Sequence, residues 1–374
     1  MNLDKIKPFL VMEILEKAQE MQRTGKNVIH LEVGEPDFDT PKCIVNSTIE
    51  ALREGKTKYT HSLGLIELKK AIVEYYYQEY QVEILPEQVI VTSGTSPALF
   101  LLFTMLLEKD DEVILPDPYY PCYPNFINLM KATPVYYKLK EREGYTYDID
   151  SIRRLINKKS KALIINSPSN PTGMVNNNIL KDLADLDIHI VSDEIYHGLT
   201  YGIKAKSILE YKKDAFVLNG FSKKYAMTGW RLGYLIVPQK YVRSLQTLSQ
   251  SLFISANEFV QYGGISALKL AQEDVNKMVE IYNRRRIYLV NSLRKLGFII
   301  SKEPNGAFYV LADSRNFNID SFKFAYEILD NTHVAVTPGV DFSETSNNFI
   351  RFSYANSIEN IQEAIERLRH YFRI

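Results

Sequence analysis

Residues 219–234 read NGFSKKYAMTGWRLGY and follow the apolar run Ala215–Leu218. That run has the length and composition of a buried strand, and it delivers glycine, serine and two lysines at its carboxyl end. In open α/β sheets, ligands gather beyond the carboxyl ends of the strands. Working outward, the same arrangement recurs. SGTSPAL (93–99) follows Val89–Thr92, and PDPYYPCY (116–123) follows Glu112–Leu115. NSPSNPTG (166–173) closes Ala162–Asn166, SDEIYHG (192–198) closes Ile188–Ser192, and FIRFSYA (349–355) repeats the pattern near the C-terminus.

Between these strands lie helical segments, so the chain is expected to be α/β, with a large domain whose mostly parallel sheet is covered by helices. Thr40 is read as the cap of a helix with Pro41 at its first position and Gly55 past its end. A strand is expected over Val28–Val33 and helices over Leu65–Tyr80, from near Pro97 to Leu107, and from Ala256 to Lys295 as one helix or two abutting ones. Strands are also expected at Pro134–Leu139 and Leu232–Val237. The last 80 or so residues mix strands (Ala307–Leu311, Val334–Val336, Phe349–Ser353) with two helices, a smaller α+β unit. The expected division is 40–280 for the large domain, and 1–39 with 281–374 for the small one.

Composition narrows the function. In 374 residues, Lys+Arg and Asp+Glu both number 45, a formal net charge of zero. That argues against nucleic acid or an anionic membrane as partner. Cys43 and Cys122 make no disulfide framework, which points to a reduced, cytoplasmic compartment. The most apolar stretch, Ala98–Leu107, is about half the length of a bilayer span. The N-terminal MNLDKIKPFLVMEILEKAQEM reads as an amphipathic helix and not a signal peptide. No metal-ligand cluster stands out.

Taken in order, the six segments resemble the class I, aspartate aminotransferase-like, fold-type I pyridoxal-phosphate-dependent aminotransferases, from LEVGEPDFDTP (31–41) to FIRFSYA. The resemblance implies pyridoxal 5'-phosphate as cofactor. It implies transfer of an amino group between an L-amino acid and a 2-oxo acid, within amino-acid metabolism. Lys223 matches the Schiff-base lysine; a solvated lysine is the ordinary alternative. The eight-residue spacing to Arg231 selects Lys223 over Lys224. Arg231 resembles the phosphate-binding arginine, with a guanidinium suited to paired hydrogen bonds. Gly94, Thr95 and Ser96 precede a helix start, where phosphate is favoured, although SGTSP is also good capping sequence. Ser222 is a further expected phosphate contact, with the helix start, Arg231 and Tyr59 as the other sources.

By the same resemblance, Asp193 pairs with the pyridine nitrogen, and Tyr196 and Asn170 bond the ring hydroxyl. Tyr120 stacks on the ring, with Tyr119 as the alternative register. Arg351 binds the substrate carboxylate, with Gly34 on the substrate side. Tyr59 reaches the phosphate of a neighbouring subunit, which implies a homodimer. The ordinary alternatives are packing for the tyrosines, a turn for Asn170 and Gly34, a strand-end or helix-start carboxylate for Asp193 and a solvent-facing strand arginine for Arg351.

The pattern departs from the family at three positions. Gly220 stands where a phosphate-binding serine is common. Ser251 stands where aspartate-specific members carry a second arginine, and Ser96 where one subgroup has a lysine. The last two departures argue against strict aspartate specificity. Two other readings share the motifs: a β-eliminating lyase of the same fold, and a non-catalytic ligand-sensing homologue.

Overall fold

The computed structural model describes residues 5–317, 320–343 and 347–374. The N-terminal segment forms α1 (Leu10–Arg23), then a two-residue strand β1 (Ile29–His30). The strand expected over Val28–Val33 is therefore shorter than its apolar run. Only its first part finds a partner, β10 (Val334–Ala335), in the parallel register Ile29↔Val334.

The large sheet contains β2 (Val89–Thr92), β3 (Glu112–Asp117), β4 (Thr133–Lys138), β5 (Ser160–Asn166), β6 (His189–Asp193), β7 (Phe216–Gly220) and β8 (Gly233–Ile236). Their order is β2-β8-β7-β6-β5-β3-β4. Strand β8 runs antiparallel to both neighbours, and the other pairings are parallel. Two apolar clusters lie against the sheet, which is why β2, β7 and β8 are buried at every position. Such strands read as unbroken apolar runs, the signature of a sheet covered on both faces.

This topology places the chemistry. Asp117, Asn166, Asp193 and Gly220 end parallel strands at one edge. Because β8 is antiparallel, its first residue, Gly233, meets that edge too, opposite both Thr92 and Gly220.

The covering helices are α2 (Lys42–Arg53), α3 (Ile66–Tyr80), α4 (Thr95–Leu106), α5 (Cys122–Leu129), α6 (Ile149–Leu155), α7 (Leu180–Ala184), α8 (Val242–Leu252) and α9 (Glu258–Leu270). Two sequence expectations need correction. Pro41, not Thr40, precedes α2 as its cap. The Thr40 hydroxyl instead donates to Ala226 O (2.6 Å) and accepts from Trp230 Nε1 (2.9 Å), a tertiary tie that competes with capping. The helix after SGTSP begins at Thr95, two residues before Pro97, with Gly94 as its cap. The helical region after Ala256 is two helices, α9 and α10 (Gln272–Lys295).

The C-terminal part comprises β9 (Tyr309–Asp313), α11 (Ser321–Thr332), β10, β11 (Thr337–Pro338), β12 (Phe349–Ser353) and α12 (Ile358–Phe372). Strands β11, β12 and β9 form an antiparallel sheet in that order. Helix α1 packs against β10 and β11, so the chain's beginning and end meet. Among the described residues, no helix is long and apolar enough to cross a membrane.

Candidate active site

At the carboxyl edge of the sheet lies a cavity of about 200 Å³. Eight of the sequence-predicted residues line it: Gly34, Thr95, Tyr120, Asn170, Asp193, Tyr196, Lys223 and Arg351. They come from eight different strands, helices or loops spread over more than 300 positions.

The Lys223 ammonium donates to Gly34 O at 2.6 Å. Burial lowers its pKa from 10.5 to about 8; Glu35 and Asp193 oppose the shift, while Arg351 and Arg231 add to it. Lys223 therefore holds its proton weakly. Gly34 is required by contact: a Cβ there would lie 2.0 Å from the Tyr309 hydroxyl.

Asp193 ends β6 and is buried. Burial pushes its carboxyl above the usual range, while the Tyr123 hydroxyl (2.6 Å), Ile195 N–H (3.2 Å) and the charge of Lys223 hold it down. Asn166 ties the strand ends together. Its Nδ2 donates to Asp193 O (3.0 Å) and its Oδ1 accepts from Asn170 N (2.8 Å). The Tyr196 hydroxyl is 2.8 Å from that of Tyr309.

Arg351 is 2% exposed. Its guanidinium donates to Asn170 Oδ1 (2.8 Å), Thr337 Oγ1 (3.2 Å) and Glu32 O. It lies over the rings of Tyr309 (4.4 Å) and Phe342 (4.7 Å). Among the described residues no carboxylate lies within ion-pairing distance of it, and its Nε is buried without a partner. A buried charge in that state costs several kcal/mol, which an incoming anion would offset.

Tyr120 faces the cavity, while Tyr119 is buried and stacks on Tyr136 with centroids 5.1 Å apart.

Five predicted residues do not line the cavity: Gly94, Ser96, Ser222, Arg231 and Tyr59. Two of them meet each other at the start of α4. Gly94 has φ +105°, and a Cβ there would sit 2.7 Å from Arg231 Nη2, so the guanidinium lies against the start of α4. Arg231 also donates to Thr228 O (2.8 Å) and holds a positive φ of 55°. Ser222 is buried beside Lys223. Tyr59 is 81% exposed and does not reach the cavity of its own chain.

The chain matches the family described as aminotransferase class I and II over residues 26–368. It belongs to that family. This aminotransferase is 42% identical over 368 residues to the (5-formylfuran-3-yl)methyl phosphate transaminase of Methanocaldococcus jannaschii, covering 97% of this chain and 96% of the relative. It is 38% identical to a probable aspartate/prephenate aminotransferase of Aquifex aeolicus, over 98% of this chain and 97% of the relative. Aspartate aminotransferase from Thermus thermophilus, solved with maleate, superposes at a TM-score of 0.94 with 36% identity and covers 98% of each chain. The enzyme depends on pyridoxal phosphate, as its family does.

The aminotransferase's own residues fit that cofactor. A buried carboxylate whose charge is only partly answered suits a protonated ring nitrogen. The turn at Gly94, open for want of a Cβ, brings a helix start and a guanidinium together, a pairing suited to phosphate. Among the described residues no group of three or more His, Cys, Asp or Glu could hold a metal.

Sequence reasoning missed Tyr123, Asn166, Tyr309, Phe9, Val11 and Met12, all of which line the cavity. Tyr123 and Asn166 carried a faint signal, since both lie within the quoted strand-end segments. Tyr309 and the three N-terminal residues carried none; the first reads as an ordinary strand residue and the others as part of an amphipathic helix.

Proposed function

We propose that Lys223 is the covalent anchor of pyridoxal phosphate, and the proton carrier, in transfer of an amino group between an L-amino acid and a 2-oxo acid. The observation that carries this is convergence: a weakly protonated amine, a buried carboxylate and a buried guanidinium face one cavity. Pyridoxal phosphate, when bound, supplies a ring that accepts the electron pair left on the substrate α-carbon.

The protein's residues do the rest. Asp193 would hold the ring nitrogen protonated, oriented by Tyr123 and the Ile195 N–H. Tyr196 and Asn170 would bond the ring hydroxyl, and Tyr120 would lie against the ring. Gly94, Thr95, Ser96, Ser222 and Arg231 would hold the phosphate at the start of α4. Arg351 would take the substrate carboxylate in the paired geometry a guanidinium allows, beside Asn170 and Gly34. Lys223 Nζ, with its pKa near 8, would take a proton at the α-carbon and return it.

The reading extends to a two-fold homodimer in which Tyr59 reaches the partner's phosphate site, supported by that tyrosine's exposure in the single chain. It includes a large unit of 40–280 and a small unit of 1–39 with 281–374, supported by the pairing of β1 with β10. A cytoplasmic setting is supported by free Cys43 and Cys122.

A second reading concerns the acceptor. The substrate named for the Methanocaldococcus relative is (5-formylfuran-3-yl)methyl phosphate. The cavity's uncharged wall of Phe9, Val11 and Met12, with Arg351 also lining the cavity, would suit such a phosphorylated ring.

The test is absorbance of the purified holoenzyme, titrated with single L-amino acids and no oxo acid. Conversion of the pyridoxal to the pyridoxamine band, with release of one oxo acid, is expected. Release of ammonia while the pyridoxal band persists would instead establish elimination. The same titration in reverse, from the pyridoxamine form, tests the furan aldehyde phosphate.

A further inference from the structure

The start of α1 forms one wall of the cavity through Phe9, Val11 and Met12. The ring of Phe9 meets Tyr120 edge-on, centroids 6.0 Å apart. None of these wall side chains carries a charge, and among the described residues the only cationic groups lining the cavity are Lys223 and Arg351. Ser251, which stands where aspartate-specific members carry a second arginine, donates to Thr247 O (3.0 Å) within its own helix. An acidic side chain reaching this wall would be desolvated without a cation to meet it.

The wall is fastened from two sides. Toward the large sheet, Asn125 of α5 accepts from Lys7 N–H and donates to Lys7 O, both at 2.9 Å, and Asn128 donates to Lys5 O (3.0 Å). Toward the C-terminal part, the Asp341 carboxylate accepts from Leu10 N–H (3.1 Å) and Val11 N–H (3.4 Å). These are first-turn amides with no acceptor inside the helix, and they lie at its positive end. Asp341 itself is 7% exposed, in the turn between β11 and β12. It faces Arg351 of β12, Glu13 of α1 and Cys122 of α5. Burial pushes its carboxyl up to about 6, so at neutral pH it is ionised and serves both amides. A local serine cap would satisfy an amide without a buried charge. The carboxylate does something a cap cannot: it ties the helix start to the turn leading into the strand that carries Arg351.

We propose that Asp341 is a positioning residue that clamps the Phe9–Met12 wall over the substrate side chain, and that the wall selects amino acids with apolar side chains over acidic ones. This rests on the aminotransferase reading above.

The test uses inert carboxylates with the holoenzyme, read by calorimetry: 3-phenylpropionate, succinate and propionate. Wild-type protein is expected to bind 3-phenylpropionate about tenfold more tightly than succinate. Asp341→Ala should weaken 3-phenylpropionate about tenfold, and leave propionate and the cofactor absorbance within about twofold. Hydrogen exchange at the Leu10 and Val11 amides should quicken about tenfold in the same variant, with α4 unaffected. Tighter binding of succinate, equal weakening of all three ligands, or unchanged exchange would overturn the proposal. If Asp341→Ala does not fold, Met12→Ala serves instead; its side chain is 45% exposed, and it should weaken 3-phenylpropionate but not propionate. Equal weakening there overturns the proposal too. Failure of every amino acid to convert the cofactor would refute the aminotransferase reading instead, because these affinities do not depend on turnover.

Discussion

Two pairs of neighbours, Asp193 with Glu194 and Lys223 with Lys224, place identical chemistry on opposite sides of the same strand ends. Asp193 and Lys223 face the cavity; Glu194 and Lys224 face the covered interior. Glu194 accepts from the Tyr76 hydroxyl (3.2 Å), Ser192 Oγ (3.2 Å), Ser207 Oγ (2.9 Å) and Ile208 N–H (3.0 Å). His197 beside it contacts Tyr80 and Ser167 O, and burial lowers its pKa to about 3, so it is neutral. Lys224 lies over the rings of Tyr75 (4.6 Å) and Tyr225 (5.1 Å) and donates to the Tyr75 hydroxyl. Both lysines are lowered to about 8, in each case chiefly by burial. A perturbed pKa therefore does not separate a working lysine from a structural one. What separates them is whether the group faces a space that a substrate can enter.

The largest expected contrast is between the lysines. Lys223→Ala should lose borohydride-fixable cofactor and roughly 10³-fold or more of activity. Lys224→Met should keep covalent attachment and nearly all activity, because a methionine fills much the same volume within the ring cage. Cofactor fixed to the Lys223 variant, or lost from the Lys224 variant, would reverse the assignment.

The acids should differ next. Asp193→Asn is expected to lower kcat/KM about 10²–10³-fold with the fold intact, the usual effect of removing one preorganised charge from an active site. Glu194→Ala should instead change kcat/KM by less than about threefold and cost about 3 kcal/mol of stability, through its unsatisfied donors and the space it leaves. Denaturant melts beside steady-state kinetics read both. Similar kinetic losses in the two variants would break the distinction between the faces.

The smallest effect is in pH. Burial lowers the folded-state pKa of Lys223, so its neutral amine becomes the majority form above about 8. Covalent capture of pyridoxal phosphate by apo-protein should therefore rise about tenfold between pH 7 and 9, and level off above. A rise still centred near 10 would show that Lys223 is solvated, as an ordinary surface lysine is.

Much of this was legible from the chain alone. The alternation of apolar runs with helical segments reported the covered sheet, since strands buried on both faces must be continuously apolar. The strand-end segments reported eight residues that do meet in one cavity. The sequence put Tyr120 ahead of its neighbour Tyr119, but only the structure shows Tyr120 lining the cavity and Tyr119 stacked on Tyr136. Thr40 misled for a related reason: its capping character is local, while its actual bonds are to Ala226 and Trp230, far along the chain.

By itself the sequence determined the fold class, the order of the chemistry-bearing segments and the identity of the groups at each strand end. Those are local properties, written in periodicity and residue type. Only the tertiary structure decided that Glu194 and Lys224 turn into the covered interior, that Arg351 meets Asn170 across 181 positions, and that the start of α1 forms a wall of the cavity. The reason is physical. Burial, desolvation and hydrogen-bond partnership depend on what surrounds a group in space, and residues far apart along the chain supply most of that surrounding.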